Sequence, residues 1–356
     1  MSTVHQLVAG FRGGDAISNE AVRIRELCAA HGVACQIWCP LHSIHPNDLQ
    51  HARDLGGLAA AVRPDDVALL HLSIGSEAND VFRALPCRRS ILYHNVTPPR
   101  FFERTQPQTA AILEAGLAAV RRLAGCDADV WADSAFNAGE LRAMGYRDPK
   151  VFPLLVDGLR GQAAPDAEML AKLSTPRMEN LLFVGRLAPN KRHDRLLKVF
   201  HAYQRTVAPK SRLVVAGGAG LDAYKGILLS TAKTLALRNA LFTGYVETAE
   251  LAACYAAASA FVCMSDHEGF CAPLLEAMSW RIPVFAVAAG AVPETLDGAG
   301  VLFDPATDEA TIAETIGRVL HDPALLGAVL KRQDERLARF SARDEWADLK
   351  AVLALP

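Results

Sequence analysis

Short apolar runs alternate along most of this chain with longer stretches whose apolar residues recur at helical spacing. In the first half, residues 4–9, 33–38, 67–72, 90–95, 130–132 and 150–156 read as strands. A helix begins after Asp15 with Ile17, Ala21, Ile24 and Cys28 along one face, and Gly32 stops it. Further helices are predicted at 47–62 (weakened by Gly56-Gly57), 79–85 and 108–124, and from a Ser134 cap to Met144. Strands that alternate with helices at this spacing build a parallel sheet. Such sheets bind ligands outside the carboxyl ends of their strands.

The pattern then lapses and restarts. Residues 157–178 lose periodicity apart from a short helical patch, and a second series follows with strands at 180–184, 213–216, 241–244, 260–264 and 283–287. The expected division is a first Rossmann-like domain at 1–158, a linker at 159–178 and a second Rossmann-like domain at 179–342. A last helix within 343–356 is expected to pack back on the first domain. The length of 356 residues fits two domains of about 150–200 residues each.

Composition narrows the class. Hydrophobic residues make up 51% of the chain, enough for a large core, and charged residues only 21%, which argues against disorder. Residues 1–160 hold 16 Lys+Arg against 17 Asp+Glu, so the remainder holds 37 − 16 = 21 against 39 − 17 = 22. Neither half is basic enough for a nucleic-acid partner. The start Met-Ser-Thr-Val-His-Gln lacks the charged and apolar regions of an export signal. No apolar run reaches about 18 residues. The expectation is a soluble cytoplasmic protein without a transmembrane segment, with peripheral membrane contact left open. The eight cysteines lie mostly in apolar runs, as reduced core residues do. Cys35, Cys39, His42 and His45 resemble a zinc set, but an extended strand holds Cys35 and Cys39 about 13 Å apart. That span is too wide for one ion with bonds of about 2.3 Å, and no metal site is expected.

The stretch at 265–276, Ser-Asp-His-Glu-Gly-Phe-Cys-Ala-Pro-Leu-Leu-Glu, carries the strongest chemical signal. It follows an apolar run, turns at Gly269 and starts a helix near Pro273, whose fixed φ suits a first helical turn. A helix start at a strand's carboxyl end is an anion site. Two carboxylates beside it, Glu268 and Glu276, repel a bare phosphate but suit a diphosphate flanked by hydroxyl-rich groups. A nucleotide sugar is such a ligand. Arg186 and Lys191, on the loop after the strand at 180–184, supply the cations a diphosphate needs. Val246, next to Tyr245, is a candidate wall for the base. In the first half, the Gly13-Gly14 loop permits close approach of a ligand to the backbone, and it is not a dinucleotide fingerprint. His94, at a strand's carboxyl end before Thr97-Pro98-Pro99, is a candidate ligand contact or proton partner.

These motifs resemble those of glycosyltransferase family 4. The resemblance rests on Glu268-Gly269-Phe270 … Glu276-Ala277-Met278, Val184-Gly185-Arg186 … Pro189-Asn190-Lys191, and Val292-Pro293-Glu294 … Gly300-Val301-Leu302-Phe303-Asp304-Pro305. It covers nearly the whole chain, strong in the second domain and looser in the first. It implies the α/β GT-B fold, with two Rossmann-like parallel-sheet domains facing across a cleft, and retaining hexosyl transfer without a metal. Carried over by motif, Arg186 and Lys191 hold the donor diphosphate over Gly13 and Gly14. Phe270, Cys271, Ala272 and Pro273 shape the donor pocket, and Glu276 takes the ribose hydroxyls. Glu268 takes hydroxyls of the transferred sugar, with His94 near the reacting carbon. Arg192 and Arg281 stand where the family usually has glycine, and Cys271 often replaces one too. Leu154-Leu155-Val156-Asp157 replaces the family's usual Pro-Asn-Gly-Val-Asp. The implied partners are a nucleotide-sugar donor, with GDP-mannose favoured and a UDP-sugar next, and a hydroxyl acceptor on a glycan, a lipid-linked carrier or a small molecule. No cofactor is implied. A nucleotide-sugar epimerase, a glycoside phosphorylase or a non-catalytic sugar-nucleotide-binding subunit stays open on the same architecture.

Overall fold

The computed structural model of the chain describes residues 2–156, 163–218 and 222–355. Residues 157–162, which include the start of the expected linker, lie outside the described residues. The chain divides into two compact units, one of Met1–Asp157 with Arg343–Pro356 and one of Gly158–Ala342.

The first unit is built on a parallel sheet of seven strands. In chain order these are β1 (Thr3–Leu7), β2 (Ala34–Cys39), β3 (Arg53–Asp54), β4 (Val67–Leu72), β5 (Arg88–Tyr93), β6 (Asp129–Ala132) and β7 (Lys150–Val151). Their spatial order is β3-β2-β1-β4-β5-β6-β7. The central strand β4, Val-Ala-Leu-Leu-His-Leu, is buried at every position, as expected of a strand covered by helices on both faces. Helices α1 (Ala16–Ala30), α2 (Leu58–Ala61), α3 (Glu77–Ala84), α4 (Pro107–Leu123) and α5 (Ala135–Ala143) provide the cover. Asp15 caps α1 by accepting from the Ser18 amide, and Ser134 caps α5 by accepting from the Asn137 amide at 3.1 Å.

Two expectations for this unit change. The helix predicted at 47–62 is instead a 3₁₀ turn at Pro46–Asp48, the short β3, a second 3₁₀ turn at Leu55–Gly57 and then α2. The Asp54 side chain accepts from the Gly56 amide and so competes with helical hydrogen bonding. The strand predicted at 150–156 pairs only over Lys150–Val151, although Phe152, Leu154 and Leu155 are buried.

The second unit carries a parallel sheet of six strands. Helix α6 (Ala167–Leu173), within the stretch expected as linker, is followed by β8 (Glu179–Val184), β9 (Ser211–Ala216), β10 (Ala240–Gly244), β11 (Ala260–Cys263), β12 (Val284–Val287) and β13 (Val301–Phe303). The spatial order is β10-β9-β8-β11-β12-β13. Helices α7 (His193–Thr206), α8 (Asp222–Thr234), α9 (Thr248–Ala256), α10 (Ala272–Ser279), α11 (Val292–Leu296), α12 (Glu309–His321) and α13 (Pro323–Ser341) complete the unit. The final helix α14 (Glu345–Leu353) belongs to the first unit. There Leu349, Val352 and Leu353 pack with Val4, Val67 and Leu69, and the Ser90 hydroxyl donates to the Val352 carbonyl at 2.6 Å. Among the described residues, no helix is long and apolar enough to cross a membrane.

Candidate functional site

Both sheets reverse their strand order at one point, between β1 and β4 in the first unit and between β8 and β11 in the second. Loops leaving the carboxyl ends of two such strands diverge and open a crevice between them. In the second unit those loops are 185–192 and 264–271, which hold Arg186, Lys191 and Glu268.

Local sequence explains how the loops meet. Gly185 and Gly217 have φ of 149° and 147°, and a Cβ on Gly217 would overlap the Gly185 carbonyl. Only glycine allows so close an approach. Pro189–Lys191 then forms a 3₁₀ turn, and Arg192 ends it in the left-handed region at φ 51°. The Asp266 amide donates to the Asn190 carbonyl at 2.9 Å, and the Asn190 side-chain amide donates to the His267 carbonyl at 3.2 Å. Arg192 pairs with Asp266 at 2.6 Å and with Asp194 at 3.0 Å.

This stitching delivers Lys191 to Glu268. The ammonium Nζ lies 2.6 Å from Glu268 Oε2, with the carboxylate side chain only 6% exposed. Burial by itself depresses a lysine, but the adjacent Glu268 outweighs it and the Lys191 pKa is raised. Cys263, Glu268 and Cys271 bring ligand-type atoms within 4.8 Å of one another. The Cys271 thiol is pushed well up by its hydrogen bond with Cys263 and by burial. Arg186 is exposed at the end of β8.

Helix α10 starts as the glycine turn and proline predict. Cys271 is its N-cap with φ 72° and ψ 59°, Pro273 lies in the first turn, and among the described residues no side chain caps it. First-turn amides of a helix lack intrahelical partners and face its positive dipole end. Phe270 turns its ring toward Phe340 with centroids 6.2 Å apart, so its backbone is what remains for a ligand. Ala272 is buried and Pro273 half-buried. Glu276, one turn into α10, is half-buried and accepts from the Tyr255 hydroxyl at 2.6 Å. Burial raises the Glu276 pKa, with the Tyr255 hydrogen bond opposing. Val246 is half-buried between β10 and α9, beside the exposed Tyr245.

The remaining candidates belong to the first unit. A cavity of about 640 Å³ opens over the switch point there, lined by Phe11, Arg12, Asp15, His45, Ser73 and Ile74 among others. The Gly13 amide donates to Asp48 Oδ2 at 3.0 Å and the Gly14 amide to Asn19 Oδ1 at 3.1 Å, so both amides already have side-chain acceptors. Gly14 needs its residue type, with φ 84°.

His94 sits at the end of β5 with a side chain 2% exposed, inside a buried polar chain rather than on a surface. Its Nε2 lies 3.0 Å from His71 Nδ1 and 3.5 Å from Glu20 Oε2, and its Nδ1 lies 3.7 Å from Asp133 Oδ2. His71 Nε2 in turn lies 2.8 Å from Gln6 Oε1, and the Leu155 amide donates to Glu20 Oε1 at 3.1 Å. Burial opposes charge on His94, yet Asp133 and Glu20 together raise its pKa. Burial and the His94 charge hold His71 well below the usual histidine range. Burial lifts Glu20 to about 7. Glu20, His71 and His94 also bring three ligand-type atoms within 4.8 Å.

Sequence reasoning missed Glu20, His71, Asp133 and Tyr255. A signal existed for Glu20, which lies four residues before Ile24 on the apolar stripe of α1. A lone carboxylate on a buried face demands a polar partner. The cation at 192 was noted only as a departure from glycine, and the structure makes it the brace between the two loops.

Comparison with known proteins bears on the second unit first. Residues 168–338 match the family model described as glycosyl transferases group 1. A curated GDP-mannose-dependent α-mannosyltransferase from Mycolicibacterium smegmatis is 32% identical over 152 residues, which cover 42% of this chain and 37% of that protein. The match thus spans well under half of that relative's length. Among solved structures, WaaG, a glycosyltransferase involved in lipopolysaccharide biosynthesis, superposes with a TM-score of 0.73 at 14% identity over 98% of both chains. HepE from Anabaena, solved with UDP and glucose, gives a TM-score of 0.70 at 18% identity over 99% of this chain and 98% of its own. The chain therefore has the GT-B fold of two parallel-sheet Rossmann-like units, and the segment that carries Arg186, Lys191, Glu268 and Glu276 is matched by the glycosyl transferase group 1 family.

Proposed function

We propose that the chain is a family 4 glycosyltransferase that moves a hexose from a nucleotide-diphosphate sugar to a hydroxyl acceptor, with retention of anomeric configuration and without a metal. The observation that carries this reading is the joining of Lys191 to Glu268 across the β8/β11 switch point, on the loop that runs into the start of α10. Cations, helix-start amides and carboxylates are the groups that a diphosphate, a sugar and a ribose require.

In this reading Arg186, Lys191 and the first amides of α10 hold the diphosphate as the anomeric C–O bond loosens. Lys191 is shared between Glu268 and the departing phosphate. Glu268 accepts from hydroxyls of the transferred sugar, and Glu276 accepts from the ribose diol. The acceptor hydroxyl attacks on the face the diphosphate leaves and passes its proton to the departing phosphate oxygen. Val246 flanks the base. GDP-mannose is the favoured donor, supported by the relative that uses it, and a UDP-sugar comes next. The acceptor is a glycan, lipid-linked or small-molecule hydroxyl, and the setting is the cytoplasm.

A panel of GDP-, UDP- and ADP-sugars read by thermal shift, followed by product analysis, tests the reading. Donor-dependent stabilisation and transfer to a hydroxyl acceptor with retained configuration support it. Conversion of donor alone, or phosphorolysis of a glycoside, points to an epimerase or a phosphorylase instead. Turnover is expected to survive excess EDTA. Loss on chelation that Mg²⁺ or Mn²⁺ restores defeats the metal-free assignment.

A further inference from the structure

We infer that Tyr255 is a positioning residue for Glu276, clamping one carboxylate oxygen so that the other is presented to the nucleotide's ribose. The inference rests on the donor-site reading of Glu276 given above. Tyr255 comes from α9, a different element from the helix it serves, and is only 3% exposed. Its hydroxyl lies 2.6 Å from Glu276 Oε2, within the short range of charge-assisted hydrogen bonds. Trp280 is the C-cap of α10, four residues after Glu276. The Tyr255 ring lies parallel to the Trp280 ring within 10° at a centroid distance of 6.2 Å. The indole fixes the plane of the phenol, and the phenol fixes the carboxylate.

The direction of the hydrogen bond follows from the surroundings. Burial and the charge of Glu276 push the Tyr255 phenol well up, so it keeps its proton and donates. Other ionisable groups bearing on the pair include the Cys254 and Cys271 thiols, both raised and neutral near pH 7. Burial alone disfavours an ionised Glu276, and the Tyr255 donor opposes that effect. A ribose diol donates two hydrogen bonds and needs a carboxylate that is both ionised and held still. Tyr255 supplies both conditions while touching neither nucleotide nor sugar.

Tyr255→Phe keeps the ring and its stacking and removes only the donor, and the half-buried Glu276 remains open to water. At pH 7 the affinity for GDP, with UDP measured alongside, is expected to fall roughly tenfold, the scale of one hydrogen bond to a charged group. Turnover at saturating donor is expected to change less than about twofold, because the ribose does not change its bonding during transfer. The acid limb of nucleotide affinity against pH should move to higher pH. The double variant Tyr255→Phe/Glu276→Gln should bind GDP no more weakly than Glu276→Gln alone. If Glu276→Gln itself leaves nucleotide affinity unchanged, the donor-site reading of Glu276 fails. If Glu276→Gln weakens binding while Tyr255→Phe matches the wild type in affinity and in its acid limb, the positioning role of Tyr255 is overturned and the donor site stands.

Discussion

The backbone of Gly290 lies directly against the backbone of Glu268. A Cβ on Gly290 would overlap the Glu268 carbonyl oxygen and come within 2.9 Å of its amide nitrogen, and Gly290 has φ 56°. The Ala291 amide donates to that same carbonyl at 2.9 Å. The loop after β12 is therefore the back wall of the turn that aims Glu268. Gly290→Ala is expected to cost about 1–3 kcal/mol in left-handed strain alone, with more from the overlap. Because the displaced backbone is that of Glu268, turnover should fall further than stability does. Calorimetry and steady-state rates check this, and a variant with wild-type melting and wild-type turnover would show the contact to be unimportant.

Lys191 is more than a loop cation, since it neutralises a carboxylate that is 6% exposed. Removing it leaves that carboxylate without its charge partner. Lys191→Ala is expected to destabilise the chain by about 1–3 kcal/mol, the cost of leaving a buried hydrogen-bonding group unsatisfied. Lys191→Ala/Glu268→Gln should recover part of that loss while staying catalytically poor. Urea unfolding of the two single variants and the double variant measures the coupling. Additive effects would mean that the two groups do not depend on each other in the folded chain.

The strand and helix series was legible because parallel strands covered on both faces are apolar throughout, as in β4 and β11. The switch-point loops were legible for the same reason, since their glycines and proline have specific backbone duties. Three details were not. The segment at 47–62 has helical spacing, yet Asp54 binds its own turn and Gly56-Gly57 offer no helix propensity. The pairing of Lys191 with Glu268 spans loops 77 residues apart, which periodicity cannot register. His94 was placed at the correct strand end, but whether its ring faces outward or into the core depends on Glu20, His71 and Asp133, which come from α1, β4 and the loop after β6.

Arg192, Cys271 and Arg281 were marked in the sequence as departures from glycine, and all three have left-handed backbones, with φ of 51°, 72° and 55°. A side chain in that region costs roughly 1–2 kcal/mol, and glycine gives back part of the gain through greater freedom in the unfolded chain. The two arginines should therefore behave differently. Arg281 is 66% exposed with a surface pair to Asp334, a kind worth little. Arg281→Gly is expected to leave the melting temperature unchanged or raise it slightly. Arg192→Gly removes the brace to Asp266 and Asp194 and is expected to lower melting temperature and turnover together. Equal responses from the two substitutions would contradict this division.

Glu20 gives the first unit a stability that depends on pH, and the sign can be worked out. Its carboxyl is fully buried, and its pKa rises from 4.5 to about 7 through desolvation, with His94 and the Leu155 amide opposing. Between those two values the folded chain holds a proton that the unfolded chain has released. Stability then falls as pH rises through the window and levels off above about 7. The penalty accumulated by pH 8 is about 3 kcal/mol. Two neighbours titrate nearby. His94, raised by Asp133 and Glu20, contributes stability at low pH that is lost as pH rises through its folded pKa, in the same direction as Glu20. His71, held neutral, costs stability as pH falls below the ordinary histidine range, in the opposite direction. Both histidines are retained in Glu20→Gln, and the attraction between Glu20 and His94 is already included in the value near 7. The difference between variant and wild type therefore follows Glu20. Gln keeps an acceptor for the Leu155 amide and carries no charge. Glu20→Gln is expected to gain on the wild type steadily from pH 5 to pH 8, by up to about 3 kcal/mol. Three of the four tryptophans, Trp38, Trp131 and Trp346, lie in the same unit as Glu20, so urea unfolding followed by tryptophan fluorescence reports on that unit. A difference that stays constant with pH, or that favours the wild type more strongly at pH 8, would show that Glu20 ionises in the folded chain as easily as in the unfolded one.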